Sequence, residues 1–254
     1  MRKQVKIKST VKYCLELGVR RVLCHRIEDA VRQAGMISFD IFDTLIKRNV
    51  ERPDQVHSLV ASEFFQQTGI RIPEYRRYRI KAEEDARKHS DTEEISLEDI
   101  FRFLTCIPEE WKSRLQKIER HLEIKVCTPD LHMKAIYERV LQEGKKVIIT
   151  SDMYLDQDTI QQLLRKCGYK GYEKLYLSSS YKKSKAKGSI YQVIKKDYSD
   201  LKGSSIVHIG DQVKADYIMP RKAGINAVLI NGQAEFLRYW KRENKQVNDR
   251  LLYQ

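Results

Sequence analysis

Three short apolar runs in this chain each end on a polar, chemistry-bearing side chain. "MISF" runs into Asp40, "KVIIT" into Ser151 and Asp152, and "SIVHIG" into Asp211. The first is the most constraining. A carboxylate at the carboxyl end of a buried strand is costly to desolvate and seldom stabilises a fold, so Asp40 reads as a nucleophile or a metal ligand.

The 254 residues, 41% of them hydrophobic, suffice for one large domain or for a core carrying an insertion. No apolar run reaches the roughly 18 residues of a membrane helix. The basic start "MRKQVKIKST" is not followed by a signal-peptide core. Five scattered cysteines (14, 24, 106, 127 and 167), never in CxxC spacing, argue against a disulfide framework or a zinc site. A reducing cytoplasm is the expected compartment. The net charge of +13 is spread along the chain. Its densest cluster, Lys182, Lys183, Lys185 and Lys187, has only Tyr181 beside it and makes no stacking platform, so nucleic acid is not the expected partner. A basic surface of this kind favours an anionic substrate.

Five β-rich runs, Ile37–Phe39, Val147–Thr150, Leu175–Leu177, Ile206–Ile209 and Ala227–Ile230, alternate after the first with helical patterns at Asp156–Lys166, Ser189–Lys196 and Asp216–Ala223. Strands alternating with helices predict a parallel sheet covered on both faces. The hundred or so residues between the first two runs are too many for a crossover. They read as helices over Asp54–Phe65, Tyr75–Lys88, Ser96–Leu104 and Trp111–Leu122, with Asp130–Gln142 leading back to the sheet. The expectation is an α/β core formed by 1–48 and 129–254, with a helical cap, 49–128, inserted after the first strand. A stripe of Val19, Val22, Leu23, Ile27, Ala30, Val31 and Ala34 predicts a helix before that strand, and "FLRYWKRENKQ" a surface helix after the last. His208 lies within an apolar run and reads as a core histidine.

In an open parallel sheet, ligands bind beyond the carboxyl ends of the strands. Asp40, Ser151, Lys185 and Asp211 follow successive strand candidates and are expected to converge on one crevice. On these residues, over 36–48 and 145–230, the chain resembles the haloacid dehalogenase (HAD) superfamily, mostly phosphatases and other phosphotransferases. The wording of "SFDIFDTL" and "SDMYL" is similar to a bacterial branch that sometimes accompanies surface-polysaccharide genes, which would make a glycosyltransferase a candidate partner.

The resemblance implies a HAD-like Rossmannoid fold and a set of roles. Asp40 matches the nucleophile that becomes an aspartyl phosphate. Ser151 matches the hydroxyl that binds the transferring phosphoryl group, with Thr150 as the alternative register and the Asp152 N–H assisting. Lys185 matches the family lysine, since Tyr191 follows six residues on, with Lys187 as the alternative. Asp211 and Asp216 of "GDQVKAD" match the acidic metal motif, which with Asp40 and the Phe42 carbonyl would hold Mg2+. Asp216 would act directly, through water, or by pairing with Lys185.

One position departs from the family's D-x-D-x-T. Counting back from Thr44, the residue that should be the acid/base is Phe42, and Asp43 sits one place later. Three readings stay open. In the first, a phosphatase of small phosphorylated molecules, sugar or acyl phosphates among them, takes its acid from Asp43, the cap or the substrate. In the second, the substrate has a leaving group good enough to need no acid. In the third, the chain is not a phosphatase, but a dehalogenase-like hydrolase with an aromatic at that position or a non-catalytic binding module.

Overall fold

The structure, a computed structural model, describes residues 27–230. The expected tail helix and the first half of the amino-terminal stripe lie outside the described residues. Helix α1 (27–33) leads into strand β1 (Met36–Phe39), then β2 (Ile46–Arg48). Helices α2 (Gln55–Thr68), α3 (Tyr75–Lys88), α4 (Leu97–Arg102) and α5 (Glu109–Val126) follow. The chain returns through β3 (Cys127–Pro129), α6 (Leu131–Gln142), β4 (Lys146–Ser151), α7 (Gln157–Lys166) and β5 (Lys174–Leu177). It continues through α8 (Ser178–Tyr181), α9 (Ser189–Asp197), β6 (Ile206–Gly210), α10 (Met219–Lys222) and β7 (Asn226–Leu229).

The sheet order is β5-β4-β1-β6-β7, with every neighbouring pair parallel, so β1 is the central strand. The fold is the expected α/β class. Alternation along the strands divides the core in two. Met36, Ile148, Tyr176 and Ile206 pack with Ile190, Tyr191 and Ile194 of α9 on one face. Ile37, Phe39, Val147, Ile149, Val207 and Ile209 pack with α1, α6 and α7 on the other, in a cluster that continues into α2–α5. Strands buried on both faces are mainly apolar rather than alternating, as these are in their interiors apart from Ser38, Thr150 and His208.

The helices begin and end where their capping chemistry dictates. Asp156 caps α7 by accepting from the Thr159 N–H at 2.8 Å, and Gly168 stops it at φ 80°, a conformation that favours glycine. Ser96 and Asp99 form a reciprocal capping box on α4. Two features were not in the sequence expectations. β2 and β3 pair antiparallel, tying together the chain's entry to and exit from helices α2–α5. The helix expected to begin at Asp216 begins earlier, as a π-helical turn Val213–Ile218 that passes into α10.

Candidate active site

Asp40 directly follows the central strand. Its backbone N–H donates to Ile209 O at 2.9 Å, so the β1–β6 ladder extends one residue beyond the strand and fixes the carboxylate's base. The side chain is 6% exposed. Lys185, from the loop between α8 and α9, places Nζ 2.5 Å from Asp40 Oδ1 and 2.6 Å from Asp216 Oδ1. Of the two candidate lysines it is therefore Lys185 that reaches the crevice; the charge of Lys187 acts on Glu93 instead.

Asp216 is wholly buried in the π-helical turn. Its Oδ2 accepts the Gln212 N–H at 2.9 Å, and Oδ1 meets His208 Nε2 at 3.0 Å. Gly210 makes this seat possible, because a Cβ there would collide with the Asp216 carboxylate. Asp211 begins the turn after β6 and is half-buried.

One ligand oxygen each from Asp40, Asp211 and Asp216 lies within 4.8 Å of the others. Two of the three carboxylates, Asp40 and Asp216, share the Lys185 ammonium, and the acidities of all three reflect their crowding. Burial, then the charge of Asp216, lifts Asp40 to about 7 against the opposing pull of Lys185. Burial, then the charges of Asp40 and Asp216, lifts Asp211 to about 8. For Asp216, burial alone would also raise the group, but Lys185 and His208 outweigh it and hold it well below the usual carboxylate range. Lys185 is raised well above its ordinary value: burial lowers it, and Asp216 and Asp40 more than compensate. Three oxygens of hard carboxylates with surplus negative charge are the donor set of a hard divalent cation. Perturbed groups gathered in a crevice are also what functional sites show.

The remaining expected residues fall as follows. Ser151 closes β4, 2% exposed. Thr150, the alternative register, is wholly buried beneath the crevice, with Oγ1 2.9 Å from Ser38 Oγ. Asp152 contributes through its carboxylate as well, which accepts from Lys185 N at 2.8 Å and from Ala186 N at 3.2 Å. Phe42 is half-buried, with the Arg48 guanidinium 3.8 Å above its ring centroid; Arg48 in turn donates to Glu123 at 3.1 Å. Asp43 is exposed and left-handed, at φ 56°. Aspartate and asparagine tolerate that region better than most side chains. The position thus has a backbone requirement of its own, and its charge reaches Asp211.

Sequence reasoning missed the contacts that hold these loops. Glu93 accepts from Ser184 N at 3.0 Å and from the Ser189 hydroxyl, on either side of Lys185. Glu94 accepts from Ser178 Oγ at 3.1 Å, and Ser178 Oγ accepts the Met153 N–H at 2.9 Å. Beside these loops a cleft of about 440 Å³ lies between Asp152–Tyr154 and helices α2, α3 and α5, with Arg48, His57, Glu83 and Arg87 in its walls. Glu93, Glu94, Ser178 and Ser184 sit in polar stretches that read as loop, Ser189 opens a helical pattern, and nothing local in the sequence marks any of them as a contact.

No protein-family model matches the chain, and no curated protein matches it in sequence. Solved structures do match. The magnesium-bound HAD-hydrolase YfnB from Bacillus subtilis is 15% identical, with a TM-score of 0.54 over 76% of this chain and 86% of that one. A 2-haloacid dehalogenase from Pseudomonas syringae pv. tomato DC3000 is 13% identical, with a TM-score of 0.56 over 76% and 85%. A HAD phosphatase from Thermococcus onnurineus is 14% identical, with a TM-score of 0.51 over 76% and 84%. The chain has the HAD-like fold: a Rossmannoid parallel sheet with helices on both faces. No helix among the described residues is long and apolar enough to cross a membrane.

Proposed function

We propose that the chain is a HAD-type hydrolase that transfers a phosphoryl group to water through Asp40. The observation that carries this reading is the bridge made by Lys185 Nζ, at 2.5 Å from Asp40 and 2.6 Å from Asp216, beside a cluster of three carboxylates at the ends of the central strands. Asp40, Asp211 and Asp216, with the Phe42 carbonyl, would hold Mg2+, which when bound supplies positive charge against the phosphoryl oxygens.

Each residue then has a defined task. An Asp40 oxygen attacks phosphorus; the bond to Asp40 forms as the bond to the leaving oxygen breaks, giving an aspartyl phosphate. Ser151 Oγ–H and the Asp152 N–H donate to phosphoryl oxygens, and Lys185 offsets the charge shared by Asp40 and the phosphate. In the second half, a water oxygen attacks phosphorus, the bond to Asp40 breaks, and the water's proton passes to solvent or a nearby base. Phe42 has no proton to give. Proton transfer contributes about 10²–10⁴-fold where a group supplies it, so the activity should favour leaving groups that depart as stable anions.

The helices over 49–128 act in this reading as the cap of a core formed by 1–48 and 129–254. The cleft of about 440 Å³ is large enough for a small leaving group between cap and core. The substrate class is a small phosphorylated molecule.

The test is phosphate release from acetyl phosphate and from an alkyl phosphate, with and without Mg2+, wild type beside Asp40→Asn. Turnover of acetyl phosphate, lost in the variant, is the expected result. Turnover unchanged by Asp40→Asn removes Asp40 as nucleophile. A second reading, favoured by the aromatic side chain of Phe42, is dehalogenation; halide release from a 2-haloacid without added metal would replace the first.

A further inference from the structure

His208 is the third residue of β6 and is wholly buried, in the middle of an otherwise apolar strand. Buried polar groups persist when they are hydrogen-bonded, and this one uses both ring nitrogens. Nε2 lies 3.0 Å from Asp216 Oδ1, and Nδ1 lies 2.8 Å from Ser38 Oγ. Ser38 Oγ is in turn 2.9 Å from Thr150 Oγ1. The relay thus crosses the three central strands β6, β1 and β4 directly under the crevice.

The chemistry of the end groups fixes the direction of the relay. An ionised carboxylate only accepts, so Nε2 carries the hydrogen and donates it to Asp216. A neutral imidazole has no second N–H, so Nδ1 accepts from the Ser38 hydroxyl, which leaves Ser38 to accept from Thr150. The ring is also held laterally. Tyr191 meets it edge-on at 5.3 Å between centroids, and the Tyr191 hydroxyl donates to Ala215 O at 2.7 Å, one residue from Asp216. Asp216 Oδ1 thereby receives both Lys185 and His208, while Oδ2 receives, among the described residues, the Gln212 N–H at 2.9 Å.

We propose that His208 is a positioning residue of the candidate cation site: its Nε2–H locks the Asp216 carboxylate so that Oδ1 serves Lys185 and Oδ2 keeps a free lone pair for the ion. The inference rests on the reading of Asp40, Asp211 and Asp216 as a Mg2+ site and gives that site a second layer. Groups that hydrogen-bond metal ligands typically matter by 10–100-fold in affinity.

The experiment is calorimetric titration of the full chain with Mg2+, in wild type, His208→Phe and His208→Gln, with circular dichroism to establish folding. The phenylalanine fills the space without a donor; the glutamine restores an amide N–H close to the place of Nε2. A 10–100-fold weaker affinity in His208→Phe, largely recovered in His208→Gln, is the expected result. Equal affinity in wild type and folded His208→Phe overturns the positioning role and leaves the cation site standing. No Mg2+ binding by wild type overturns both. A readout independent of the ion and of the variants' folding is the ring tautomer, from long-range ¹H–¹⁵N correlations of wild type: hydrogen on Nε2 is expected, and hydrogen on Nδ1 alone overturns the proposal.

Discussion

The Asp152 carboxylate holds the backbone of Lys185, accepting its N–H with both oxygens at 2.8 and 3.0 Å. They lie thirty-three positions apart in the sequence, in loops after different strands. The ammonium that bridges Asp40 and Asp216 is therefore aimed by a carboxylate that does not touch it. Asp152→Ala should unpin this loop and leave the Lys185 N–H without its acceptor. The expected outcome is a fall in kcat of at least tenfold, with a stability loss of about 1–3 kcal/mol from the unmet donor. Asp152→Asn, which keeps one acceptor oxygen, should fall between. Steady-state kinetics and urea unfolding of the two variants check this.

Lys185 is the only cation hydrogen-bonded to Asp40 among the described residues. Lys185→Met keeps the length of the side chain and removes its charge. Loss of one preorganised electrostatic group typically lowers kcat by about 10²–10³-fold, and that is the expected outcome with acetyl phosphate. Lys187→Met, its charge placed beside Glu93, should stay within threefold of wild type. An unchanged rate in Lys185→Met would remove the lysine from the mechanism.

Asp211 ties stability to pH in a definite direction. Burial, then the charges of Asp40 and Asp216, raises it to about 8, whereas an unfolded aspartate titrates at about 3.9. Between those values the folded chain binds more protons than the unfolded chain, so this group's contribution to stability falls as pH rises from about 4 through about 8. Asp211→Asn removes that loss. In EDTA, the variant's Tm should exceed wild type at pH 8.5, and the gap should narrow at pH 5. Added Mg2+ should raise the Tm of wild type more than that of the variant. Thermal unfolding at the two pH values, with and without Mg2+, decides it.

The five strands were legible in the sequence because each is a short apolar run ending in turn chemistry, and burial on both faces demands that composition. The convergence of Asp40, Lys185 and Asp211 was legible for a related reason, since strand ends in a parallel sheet share one edge. What escaped is non-local. Ser38 and His208 are single polar residues within apolar strands, and only the register that sets them side by side reveals a relay. The β2–β3 pair has three residues on each strand and a proline at its end, too little for a period to show. The π-helical turn carries Asp216 back against Gly210. A helical period read from the sequence carries no sign of that contact. Helix α3, "YRRYRIKAEEDARK", is mostly charged, and nothing in its local pattern singles out Arg79, which is wholly buried.

Arg79 pairs with Glu119 across α3 and α5, Nε to Oε2 at 3.1 Å and Nη2 to Oε1 at 2.7 Å, with both side chains fully buried. Burial alone would raise the Glu119 carboxyl, but Arg79, then His57, outweighs it and the group is held below its ordinary value. A depressed folded value stabilises the fold above the unfolded value, about 4.3, and that stabilisation is lost as pH falls through the folded value. Glu119→Gln should therefore destabilise the chain at pH 7, by about 3–5 kcal/mol for a broken buried pair, and the difference from wild type should shrink below about pH 4 as the native carboxylate takes up its proton. Replacing both partners, Arg79→Met with Glu119→Leu, removes two desolvated charges together and should come close to wild-type stability at pH 7. Urea unfolding of the three proteins at pH 7 and pH 3.5 measures both effects. A double variant no more stable than Glu119→Gln would mean that the pair itself, and not only the avoidance of an unpaired buried charge, holds α3 against α5.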